Sequence, residues 1–162
     1  MAVPTPSASP LFLRESEVRR GMELLYFGYS HLTRTADSRL AERGLGRAHH
    51  RALYFIARQP DLTVTQLLGL LSITKQSLGR VLTDLTDRGL IEMRPGERDR
   101  RQRLLRLSDS GRALESDLFE QIRVQLADAY KNAGHNAVGG FWAVLEGLIP
   151  EGERARVLGL RD

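Results

Sequence analysis

Three features of the sequence predict a mainly α-helical fold carrying one small antiparallel β hairpin. Apolar residues recur at helical spacing over most of the chain, as with Leu78, Val81, Leu82 and Leu85 at i, i+3, i+4 and i+7. Strand-like runs are confined to two short stretches, one after Gly89 and one ending at Leu107. Glycine, proline and cap-forming residues fall between these segments, where turns are needed.

Residues 1 to 10, MAVPTPSASP, are rich in Pro, Ser and Ala without periodicity and predict a flexible or extended arm. From Leu11 to about Arg43 the pattern is helical, with Leu24, Leu25, Phe27, Gly28, Leu32 and Leu40 among its small and apolar positions. Such a helix exceeds the ~12-residue average of globular proteins and needs a partner subunit to cover part of its length. Gly44-Leu45-Gly46 ends it. Arg47 to Gln59 predicts a second helix with Leu53, Ile56 and Ala57 inward, closed by Pro60-Asp61. Thr63 then caps a short helix, Val64 to Leu71, bearing Leu67, Leu68 and Leu71. Only a few residues join it to the next helix, as a helix-turn-helix requires.

That next helix spans 74–88. Thr74 or Ser72 can cap it, Arg88 suits its negative end, and Gly89 fits a left-handed C′ position. Opposite its apolar stripe lie Lys75, Gln76, Ser77, Gly79, Arg80 and Thr83, with Asp84 the lone acid against them. A helix that enters a major groove needs such donors on its first turns. Taken alone, the same face also fits an ordinary solvated surface.

After Gly89, Met93 keeps step with Ile91 as in a half-buried strand, and Pro95-Gly96 breaks the run. The return run is Leu104 to Leu107. Between them the loop carries Arg94, Arg98, Arg100, Arg101 and Arg103, countered by Glu92, Glu97 and Asp99. An arginine-dense hairpin tip suits a minor groove, whose narrow wall concentrates negative potential. Asp99 among arginines would oppose DNA unless paired, so it is expected to hold Arg101 or a neighbour in register. A groove-fitting helix followed at once by a basic hairpin is a winged helix.

Ser108 opens a further helix with Leu114, Leu118, Ile122, Leu126 and Ala129 on its apolar face, ended by Ala133-Gly134. Another starts near Asn136, carries Val138, Phe141, Trp142, Leu145 and Leu148, and stops before Pro150. The tail from Glu151 to Asp162 predicts one last turn around Val157, Leu158 and Leu160. These helices and the first long one have no core of their own and form a natural dimerisation layer. The expected organisation is an arm at 1–10, a helical dimerisation region at 11–43 and 108–162, and a winged helix-turn-helix lobe at 44–107.

The order Ser72-x-Thr74-Lys75-Gln76-Ser77, Leu85-x-x-Arg88-Gly89-Leu90-Ile91, Asp99-Arg100-Arg101 and Leu107-Ser108-x-x-Gly111 resembles the MarR family of bacterial winged-helix transcriptional regulators. At motif level the resemblance runs from about Leu45 to Gly111; the flanking helices match only in length and pattern. Gly79, mid-helix on the exposed face, departs from it. The resemblance implies a two-fold homodimer and a crevice for a small aromatic or anionic effector between the dimer helices and the DNA lobe. Tyr26, Tyr29, Ser30, His31, His49 and His50 are the candidates for that crevice, and packing at a dimer interface is the competing reading of the aromatics.

The rest of the composition excludes other classes. Of 162 residues 41% are hydrophobic and 27% charged, which fits one ordinary globular domain. The net charge of +4 is modest but concentrated in the hairpin loop, which points to duplex DNA. With no cysteine there is no disulfide, thiol switch or Cys-ligated zinc. Adjacent His49 and His50 point about 100° apart on a helix and do not share one ion, so no metal is expected. No acid, histidine or glycine-rich loop falls in a catalytic pattern, and neither enzyme activity nor a cofactor is expected. No apolar run approaches the ~18 residues of a membrane span, and a cytoplasmic protein without membrane contact is expected.

The sequence thus predicts a homodimer that reads a pseudo-palindromic operator in double-stranded DNA. The 74–88 helix would lie in the major groove and the 94–103 loop in the minor groove. Ser72, Thr74, Lys75, Gln76, Ser77, Arg80 and Thr83, with Arg94, Arg98, Asp99, Arg100 and Arg101, are the candidate DNA-facing residues. The rival reading is a winged-helix module whose basic loop docks an acidic protein.

Overall fold

The computed structural model describes residues 10–160. The expected N-terminal arm therefore lies outside the described residues, apart from Pro10. Helix does not begin at Leu11. Pro10–Leu13 forms a short 3-10 turn, Arg14 is extended, and helix α1 runs Glu15–Ala41. Only its C-terminal part enters the core, through Thr33, Ala36 and Leu40. Met22, Leu24, Tyr26 and Phe27 stand in the open.

Helix α2 (Arg47–Arg58) buries Ala52, Leu53 and Ile56. Strand β1 (Leu62–Thr63) leads directly into α3 (Val64–Leu71). At that junction Thr63 accepts from the amide of Gln66, whose side chain accepts in return from the Thr63 amide. Ser72 ends α3 in the left-handed conformation, at φ 51°, so the cap of α4 (Lys75–Asp87) falls to Thr74. Leu78, Val81, Leu82 and Leu85 are all buried. Strands β2 (Ile91–Pro95) and β3 (Arg103–Leu107) follow.

The sheet has three strands in the order β1-β3-β2, both pairings antiparallel, where sequence reading gave a hairpin alone. Leu62 pairs with Leu105, and Ile91 with Leu107. The two-residue pleat puts Leu62, Ile91, Leu105 and Leu107 on the inner face, and all four are buried. Met93 shares that face but is 41% exposed, because β2 is an edge strand with no neighbour on its far side. The expectation that it is half-buried in step with Ile91 is corrected accordingly.

Ser108 caps α5 (Asp109–Ala133), which packs along α1. Leu114 and Leu118 are buried, Ile122 and Leu126 are half-buried, and Ala129 is exposed, so this helix leaves the core as it proceeds. Arg39 pairs with Asp117 across the two long helices. Helix α6 (His135–Leu148) turns back on α5, where the Trp142 indole donates to the Tyr130 hydroxyl at 2.9 Å. The tail is more than a turn. Helix α7 (Glu151–Leu158) docks on α3, with the Arg156 guanidinium donating to the Gly69 carbonyl at 3.1 Å. Among the described residues, no helix is long and apolar enough to cross a membrane.

Candidate nucleic-acid interface

The turn between α3 and α4 sets the first turn of α4. Thr74 accepts from the Ser77 amide at 3.1 Å and donates its hydroxyl proton to Ser77 Oγ at 2.9 Å. That cap holds the positive end of the helix open to solvent, a favourable place for an anion. Lys75, Gln76, Ser77, Gly79, Arg80 and Thr83 are exposed on the side away from the buried stripe. Neither Lys75 nor Arg80 has an ion-pair partner among the described residues. Their charge is available to an external partner.

The hairpin tip is a folded turn. The Gly96 amide donates to the Gln102 carbonyl at 3.0 Å, and the Gln102 amide to the Asp99 carbonyl at 3.0 Å. A Cβ on Gly96 would come within 2.7 Å of the Asp99 carbonyl oxygen, so the closing residue must be glycine. Asp99 Oδ1 accepts the Arg101 amide at 2.9 Å. The acid thus holds the backbone of Arg101 and leaves its guanidinium free. Arg98, Arg100, Arg101 and Arg103 are exposed and have no ion-pair partner among the described residues.

The acid that does pair with wing arginines escaped sequence reading. Asp61 accepts from Arg106 through Nε at 2.6 Å and through a second guanidinium nitrogen, and Arg94 lies 3.9 Å from the same carboxylate. These guanidiniums, Arg106 first, hold the Asp61 carboxyl below the usual carboxylate range. In the sequence Asp61 looks like a turn residue after Pro60. No sequence signal marks its role, because Arg94 and Arg106 are brought to it only by the sheet.

The candidate effector residues do not all converge. Arg47 donates to Asp37 at 2.9 Å and its guanidinium lies 5.9 Å from the centroid of the Tyr29 ring. Tyr26 lies within its electrostatic reach. Burial lowers the pKa of His50, with Asp37 opposing the shift. His49 turns instead to α4, with Nε2 3.1 Å from Asp84 Oδ2. Ser30 is half-buried and His31 is exposed. Arg47 and Asp37 are the charged members of this group, and sequence reading passed over both. Among the described residues, no group of three or more His, Asp or Glu is arranged to hold a metal ion.

Residues 43–102 match the model of the MarR family, from the end of α1 to the wing tip. The chain is 46% identical to the HTH-type transcriptional regulator PetP of Rhodobacter capsulatus, over 94% of this chain and 92% of that one. The fold is also that of a mutant MarR from E. coli complexed with operator DNA, with TM-score 0.66 at 22% identity, covering 88% of this chain and all of that one. FabT of Streptococcus pneumoniae in complex with DNA gives TM-score 0.71 at 19% identity, covering 81% of this chain and 94% of that one. With a relative this similar along nearly its whole length, and the family model lying over the very helices and wing described above, the chain belongs to the MarR family.

Proposed function

We propose that the chain is a sequence-specific, double-stranded DNA-binding regulator of transcription that acts as a homodimer on a pseudo-palindromic operator. The observation that carries this reading is the set of exposed, unpaired cations on α4 and on the wing. Helix α4 offers Lys75, Gln76, Ser77, Arg80 and Thr83 on its exposed side, and the wing offers Arg98, Arg100 and Arg101 unpaired. A helix end fits the major groove and an arginine tip the minor groove beside it. The names of its relatives support the reading, since PetP is called a transcriptional regulator and MarR and FabT were solved with DNA.

Residues 44–107 are the DNA-reading lobe in this proposal, and 11–43 with 108–162 the dimerisation region. Exposed Leu24, Phe27, Phe119, Phe141 and Trp142 on α1, α5 and α6 give a second subunit an apolar surface to cover. The aromatic and charged group around Arg47, at the N-terminus of α2, suits a small aromatic or anionic effector. Such a ligand acts by changing the distance between the two α4 helices of a dimer.

Selection of bound duplexes from a random pool by the purified protein tests this. A recovered palindrome with half-site centres about 10 to 10.5 base pairs apart is the expected result. Recovery of unrelated sequences, or a stable monomer by sedimentation, would sink it.

A further inference from the structure

We propose that Asp61 is a positioning residue of the wing, whose hold on Arg106 and Arg94 sets how selectively the interface reads DNA. The inference rests on the DNA-binding reading above.

The geometry is specific to this corner of the sheet. Register and pleat place Glu92, Arg94, Leu104 and Arg106 together on the outer face, away from the core. Asp61 precedes β1 with φ 66°, a left-handed conformation that an Asp tolerates better than most residues. Its amide donates to the Leu105 carbonyl at 3.1 Å, which fixes its backbone beside the middle of β3. From there the carboxylate takes the Arg106 fork on both oxygens and leaves Arg94 at 3.9 Å. One acid therefore gathers two of the six wing guanidiniums along the flank, while Arg98, Arg100, Arg101 and Arg103 stay free at the tip.

This arrangement has little to do with stability, because exposed ion pairs contribute little. Its effect is directional. A two-point fork fixes the plane of a guanidinium, whereas a free arginine side chain samples many rotamers and meets any nearby phosphate. Asp61 and Asp99 also line the same open cleft along the outer side of the hairpin, so the flank and the tip are organised side by side. With Asp61 removed, Arg94 and Arg106 become two mobile cations. Mobile cations strengthen binding to every duplex and weaken the preference for one.

Charge counting predicts something different. If Asp61 is merely an opposing charge, its loss strengthens binding to operator and random DNA alike. The test is a titration of a selected operator duplex and a random duplex of equal length over a series of salt concentrations. It uses the full chain, Asp61→Gly, Asp61→Asn, and Arg94→Gln/Arg106→Gln with and without Asp61→Gly. Glycine is relaxed at φ 66°, so Asp61→Gly keeps the melting temperature. Its ratio of operator to random affinity is expected to fall at least roughly twofold. The salt slope on random DNA should steepen by up to about two per subunit as two guanidiniums reach phosphates. Asn retains one acceptor and should restore part of the ratio. In the double-Gln background Asp61→Gly should change the ratio no further.

An unchanged ratio, a parallel rise of both affinities, or an equal fall in the double-Gln background overturns the role of Asp61. A wild-type chain that fails to distinguish operator from random DNA overturns the DNA reading, and this inference with it.

Discussion

His49 on α2 reaches Asp84 on α4 with Nε2 3.1 Å from Oδ2, while its Nδ1 accepts the amide of Gly46 at 3.1 Å. A neutral imidazole has one donor and one acceptor nitrogen. Because Gly46 donates to Nδ1, the ring proton sits on Nε2 and points at the carboxylate. One side chain therefore closes the first turn of α2 and ties it to the helix that carries the proposed DNA-facing residues. His49→Ala and Asp84→Ala should each destabilise the protein, and the double variant should cost less than their sum. The expected coupling in urea denaturation is about 0.5 to 1 kcal/mol. Additive losses would mean that the pair contributes nothing beyond each residue alone.

Much of the interface is legible in the sequence because α4 states its own orientation. Four apolar residues at helical spacing fix the buried side, so Lys75, Gln76 and Arg80 must face out whatever else packs nearby. The wing tip is similarly local, since Pro95, Gly96 and Asp99 close it within one loop. Strand β1 is not legible. Two residues carry no alternation, and the strand exists only because β3 returns to meet it. Asp61 was hidden for the same reason, as its partners Arg94 and Arg106 are brought to it by the sheet. The Arg47–Asp37 pair likewise depends on how α2 folds back on α1 after the Gly44 turn. Pairings made by tertiary structure have no period to betray them.

Gly111 in the first turn of α5 is set against the backbone that leaves α4. A Cβ built on it would lie 1.9 Å from the Leu90 carbonyl oxygen. That carbonyl also accepts the Ser108 amide at 3.1 Å, and both Ser108 and Ser110 donate to the Gly89 carbonyl. The backbone is thus pinned and cannot yield cheaply. Gly111→Ala should cost about 1 to 3 kcal/mol, measured as a lower urea midpoint. A wild-type midpoint would show that α5 can shift away freely.

Gly79 presents the opposite case. Nothing lies within 4 Å of a Cβ built there, and the residue sits inside a regular helix on the exposed side. Gly79→Ala should therefore stabilise the protein by about 0.5 to 1 kcal/mol. On the face proposed to meet DNA, glycine also lets the backbone approach the duplex, so operator affinity should fall while the melting temperature rises. Affinity that holds constant would mean that this turn stays clear of the duplex.

The wing tip separates charge from geometry. Arg100 and Arg101 are exposed, unpaired and remote from the core, so replacing both with Ala should leave folding intact. Each arginine that meets phosphate releases condensed counterions and adds about 0.9 to the slope of log affinity against log salt. The double variant should bind operator more weakly and flatten that slope by up to about two per subunit. Asp99 gives the contrasting measurement. Its carboxylate accepts the Arg101 amide at 2.9 Å, within the turn closed by Gly96 and Gln102. Asp99→Ala removes an acid from a tip proposed to face DNA, and charge alone says that affinity rises. Losing the acceptor lets the turn open and the arginines scatter, and geometry says that affinity falls. We expect the fall. Asp99→Asn keeps an oxygen for the Arg101 amide without the charge, so it should bind at least as tightly as the wild type. Tighter binding by Asp99→Ala, with an unchanged melting temperature, would show that Asp99 acts at the tip only as a charge.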